Sequence, residues 1–181
     1  MFTTFRLESA NIMSELLRYW LRWPTLEVVM AIPWAWPLAE TFHFIGLCLL
    51  IGIVGMFDLR ILGVAKGLAI GSLKRLLPWG VFGFLLCLVT GALFVLGIGA
   101  NLYNDNAYDV IARDEYLQVK LVFIALAGLN LLAFYLTGMS RTVDRLATGD
   151  DAPLLAKVIA ATSLFLWIGV IVFGRLIPEG L

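Results

Sequence analysis

His43 is the only histidine in the chain, and it stands inside an apolar run, "PLAETFHFIGLCLLIGIVGMFDLRILG". Glu40 lies three residues before it, about one helical turn away and on the same face. An imidazole beside a carboxylate can exchange a proton, or offer a ring nitrogen to a metal while the carboxylate orients the other nitrogen. Lys120, in "EYLQVKLVF", lies five residues past Glu115 in a second apolar run. Arg175 lies near the end of a third. An ionisable group within a hydrocarbon layer costs about 2.5–3.5 kcal/mol or more unless it is paired or hydrated, so these few residues are the informative ones.

The elements that carry them follow from composition. Of the 181 residues, 61% are hydrophobic and 14% charged, with a mean hydropathy of +0.94. Soluble domains carry about 25% charged residues. Four apolar runs, over residues 38–62, 77–98, 116–137 and 154–177, are each long enough for the roughly 20 helical residues that cross a bilayer. The runs are continuous, without the alternation of a membrane barrel. The expected fold is all-α: an integral membrane four-helix bundle forming a single transmembrane domain over residues 1–181.

Residues 9–23 predict an amphipathic helix lying at the membrane surface. Ile12, Leu16, Leu17 and Trp20 take one side and Glu15, Arg18 and Arg22 the other. The N-terminus does not read as a cleaved signal, having no continuous apolar core. The segment "PTLEVVMAIPWAWP" is apolar but too short to span, and reads as a connector with Trp34 and Trp36 at the interface. Pro178 is expected to end the fourth span.

Lysine and arginine counts orient the bundle. The loops after the first and third spans, with their flanks, carry Arg60, Lys66, Lys74, Arg75, Arg141, Arg145 and Lys157; the other side carries Arg6, Arg18, Arg22, Arg113 and Arg175. The positive-inside rule then puts both termini, and the acidic loop with Asp105, Asp109, Asp114 and Glu115, on the periplasmic side of a bacterial inner membrane. A zero formal net charge offers no basic surface for nucleic acid. The expected partners are the lipid bilayer and either a second copy or a larger membrane complex.

In this topology the first and third spans start on the same side, so a rise of about 1.5 Å per residue gives His43 and Lys120 a shared depth. Glu40, Gln118 and Arg175 are expected in the same outer layer. The inner half is expected to hold no comparable cluster, with Asp58 and Arg60 snorkelling at the span end. Asn130 reads as an interhelical hydrogen-bonding group, and Cys48 and Cys87 as small buried hydrophobes. Three roles suit the outer layer. His43 could ligate haem iron, with Glu40 orienting it, Lys120 as second ligand or substrate-side charge, and Arg175 on a propionate. It could bind copper with thioether sulfurs, or the cluster could be a packing network only.

The segments "AETFHFIGLCLLIGIVGMFDLR", "LLPWGVFGFLLCLVTGALF" and "EYLQVKLVFIALAGLNLLAFY" resemble a group of small bacterial membrane proteins that includes CopD-type copper-resistance proteins and, more distantly, HemJ-type protoporphyrinogen oxidases. The resemblance covers roughly residues 37–137. It implies haem b held by a first-helix histidine and a lysine opening a later helix, matched here by His43 and Lys120. It also implies either an oxidoreductase or a CopD-like copper or solute transport component. A cytochrome b with two histidine ligands would need His43 from each of two chains, or His43 with a different second ligand.

Overall fold

The computed structural model describes residues 2–97 and 106–180, with side chains from 11 to 97 and from 106 to 178. Asp105 and the expected end of the second span at residue 98 lie outside the described residues. Every element among those described is helical: α1 (Phe2–Leu21), α2 (Pro24–Met30), α3 (Ala35–Leu62), α4 (Ile70–Gly97), α5 (Ala107–Arg113), α6 (Glu115–Leu136), α7 (Met139–Val143) and α8 (Leu154–Gly180). Helices α3, α4, α6 and α8 are long and apolar enough to cross a membrane. They fit a multi-pass membrane protein in contact with lipid. Their outward faces carry Phe44, Leu85, Leu129 and Phe165, each more than half exposed, a surface suited to hydrocarbon and not to water.

The four long helices pack as two pairs, α3 along α4 and α6 along α8, joined through α3 against α8. The backbones of α3 and α4 approach closely where Gly46 and Gly83 face each other. A Cβ on Gly83 would stand 2.6 Å from the Gly46 carbonyl oxygen and 2.9 Å from the Leu50 nitrogen. Only hydrogen fits there, and that is how small residues bring membrane helices together. At the end of the bundle where α3 closes and α4 begins, labelled the inner end to distinguish it from the outer half that carries His43, one apolar core is formed by Phe57, Ile61, Ile70, Leu73, Phe134, Val143 and Ala156.

Several boundaries depart from the sequence reading. Helix α4 begins at Ile70, seven residues early, and carries Pro78 inside it. Pro178 lies inside α8 and does not end it. The amphipathic helix begins earlier too, at Phe2. Part of the acidic loop is helix α5, capped by Asn106, whose side chain accepts from the Tyr108 nitrogen at 2.9 Å. Asp114 then caps α6 by accepting from the Leu117 nitrogen at 2.9 Å. These are N-cap bonds that satisfy otherwise orphaned first-turn donors. Helix α1 is tied to α5 by Arg18, which reaches Asp109 at 2.8 Å and lies over the Tyr108 ring.

Candidate functional site in the outer half of the bundle

His43 projects from α3 toward α4, half-buried. Its Nδ1 lies 2.7 Å from Thr90 Oγ1, and Thr90 is 4% exposed. The threonine hydroxyl has one hydrogen, and it is directed at the Leu86 carbonyl, 2.7 Å away. With its hydrogen on that carbonyl, Thr90 serves His43 as an acceptor, the arrangement in which the proton sits on Nδ1 and the Nε2 lone pair is free. The ring also meets the edge of Phe94 with centroids 5.5 Å apart, and Trp36 packs on the same phenylalanine at 5.0 Å. The His43 backbone is held in turn, its carbonyl accepting from Cys87 Sγ at 3.4 Å.

Lys120 comes to this layer from α6. Its stem runs beside Gly174 of α8, where an added Cβ would meet Nζ at 3.2 Å. Its ammonium lies within electrostatic range of both His43 and Cys87. Three long helices thus bring an imidazole, an amine and a thiol to one level, and the Gly174 backbone on the fourth makes room for the amine.

Other residues expected here are placed elsewhere. Glu40 and Arg175 are exposed, so neither joins the interior layer. Gln118 turns back to the Ile111 and Ala112 carbonyls, 3.0 and 2.9 Å away, and closes the end of α5. Cys48 is exposed on the lipid-facing side, against the expectation of burial, while Cys87 is half-buried. Asn130 bridges helices as expected, donating to the Ile159 carbonyl at 3.0 Å.

The inner half is where sequence reasoning missed most. Asp58 and Arg60 do not snorkel; they are 6% and 0% exposed. Arg60 donates from Nε to the Leu68 carbonyl at 2.8 Å, and from its two terminal nitrogens to Asp150 and Ala147 carbonyls at 3.2 and 2.9 Å. One guanidinium so ties both inner loops to the end of α3, using its fork of donors on three backbone oxygens. The available signal was an arginine in the last turn before Gly63, a position that favours cations on terminal carbonyls.

Among the described residues, no three His, Cys, Asp or Glu side chains converge as a metal-binding group. A porphyrin supplies four nitrogens itself and needs one or two from the protein; the free Nε2 of His43 and the amine of Lys120 match that smaller demand. Comparison with protein-family models, with curated proteins and with solved structures gives no match for this chain.

Proposed function

We propose that this chain is a haem-b-associated redox or electron-transfer protein of the bacterial inner membrane, with its site in the outer half of the bundle and both termini periplasmic. The observation that carries the reading is the 2.7 Å Thr90–His43 bond inside an apolar span, which suits an imidazole with its proton on Nδ1 and its lone pair on Nε2. A ligating histidine characteristically donates its other N–H in this way, and the bond raises the basicity of the donor nitrogen. Bound at this site, haem b would supply one-electron exchange. Lys120, held beside Gly174, would supply a second nitrogen or a positive charge to the bound group. The resemblance to HemJ-type proteins points to the same two residues.

Copper transport is less well supported. Soft-donor sites need several thiolates or thioethers together, whereas Met56 and Cys48 are exposed and Met30 is buried on α2 against Gly97.

Visible spectra of the detergent-purified protein, oxidised and reduced, test the reading. A Soret band is expected in the wild type, lost in His43→Ala and shifted in Lys120→Met. A protein expressed with ample haem supply that stays colourless would overturn it.

A further inference from the structure

Asp58 is a carboxyl group with no counter-ion among the described residues, on a helix long and apolar enough to span a membrane. It is 6% exposed, and its Oδ2 accepts no hydrogen bond among the described residues. The polar group that faces it is the Ser163 hydroxyl of α8. The charged residues of its own helix and of the two helices packed on it are directed elsewhere. Arg60, two residues on, is spent on three backbone carbonyls. Lys74 of α4 pairs with Asp144, and Lys157 of α8 pairs with Asp151. Arg75 of α4 and Arg175 of α8 are exposed.

We infer that Asp58 and Ser163 form a proton-binding site in the inner half of the bundle, with Asp58 resting as a neutral carboxylic acid. An ionised carboxylate stripped of water, cation and donors is strongly disfavoured there. The neutral acid needs one hydrogen-bonding neighbour, and Ser163 can either donate to it or accept from it. Release is a simple transfer: the O–H bond of Asp58 breaks, the proton passes to water reaching the site from the inner end, and a carboxylate remains. An intramembrane acid able to bind and release a proton is the element from which proton-coupled membrane proteins are built. The inference is independent of haem at His43, being made on a different layer by different residues.

Infrared spectroscopy of the protein in lipid nanodiscs tests it. At neutral pH a protonated-carboxyl C=O band is expected, absent from Asp58→Asn and shifted in frequency in Ser163→Ala. The band should move in D2O, and should be lost at alkaline pH and regained on return. His43→Ala should leave it unchanged. Absence of any such difference between wild type and Asp58→Asn at neutral pH would overturn the proposal. So would a band that never exchanges with D2O or titrates over the range in which the helices stay folded, since the acid would then be fixed. Asp58→Asn is near-isosteric, and Ser163→Ala with unmodified Asp58 gives an independent reading if the first variant folds poorly.

Discussion

The two halves of the bundle treat buried polar groups in opposite ways. At the inner end Arg60 is wholly buried and all three of its nitrogens are bonded, each to a carbonyl of a different residue. In the outer half His43 is half-buried, one ring nitrogen is bonded and the other is left free. A satisfied group rigidifies, because any movement breaks several bonds at once. A group with a spare lone pair keeps the capacity to bind. The inner arginine therefore works as a clasp and the outer histidine as a candidate ligand. Asp58 is the exception within the inner half, its Oδ2 having no hydrogen-bond partner among the described residues.

The sharpest way to break this contrast is Arg60→Met. The substitution keeps much of the stem's volume but removes the guanidinium donors from the Leu68, Asp150 and Ala147 carbonyls, of which Ala147 keeps its bond from the Asp150 nitrogen, at about 1–3 kcal/mol for each one left unsatisfied. A loss of roughly 3 kcal/mol or more is expected from thermal or denaturant unfolding in detergent, with protease sensitivity appearing in the loops at 63–69 and 144–153. A loss below about 1 kcal/mol would mean that the clasp is replaceable by water.

Next in size is Gly83→Ala. Its new Cβ would press on the Gly46 oxygen and the Leu50 nitrogen. Backbone cannot step aside as a flexible side chain does, so roughly 1–3 kcal/mol should be lost. Gly52→Ala is the control: nothing lies within 4 Å of its Cβ, and helix propensity favours alanine by up to about 1 kcal/mol. If both variants cost the same, the close α3–α4 seam is not what holds the outer half together.

Thr90→Val probes the outer half more gently. It removes the acceptor of the Nδ1 proton, at a stability cost near 1 kcal/mol. The informative readout is the 15N spectrum of labelled His43, expected to move from a single Nδ1–H tautomer toward a mixture. An unchanged spectrum would remove the argument for a preset Nε2 donor.

How much of this could be read beforehand depended on the kind of signal. The number of spans was legible because hydrocarbon thickness sets helix length, and runs such as 38–62 satisfy it without any knowledge of packing. The shared level of His43 and Lys120 was legible too, since it needs only the rise per residue and a topology. Facing was not. Helix α3 is apolar nearly all round, so its sequence shows no polar stripe to say which side of Asp58 or Glu40 meets protein. One turned inward and the other outward, against expectation in each case. Arg60 was missed for a further reason: its partners are carbonyls of Leu68, Ala147 and Asp150, and every residue type has one. Cys87 and Thr90 entered the site through helix α4, at positions that look like ordinary small residues in a greasy run.

The smallest effect lies just outside the membrane and separates the clasp from the ion pairs around it. Asp151 accepts from Lys66 at 2.8 Å and from Lys157 at 3.1 Å, joining the loop after α3 to the start of α8. The hydrogen bond from Lys66, followed by that from Lys157, holds its carboxyl below its ordinary value of 3.8. A depressed folded-state pKa stabilises the fold above the unfolded value and loses that contribution as pH falls through the folded one. The bridge should therefore be fully present at neutral pH and fade only in acid below about 3.8. Because the group is solvent-exposed and screened by salt, its contribution should be slight and smaller still at high ionic strength. Comparing acid unfolding of the wild type and Asp151→Asn checks this: the two curves should run together near neutrality, apart from a small salt-sensitive offset, and converge in acid. A large salt-insensitive offset at neutral pH would mean that Asp151 shares the work assigned to Arg60, and that the inner end is closed by charge pairing as much as by carbonyl capture.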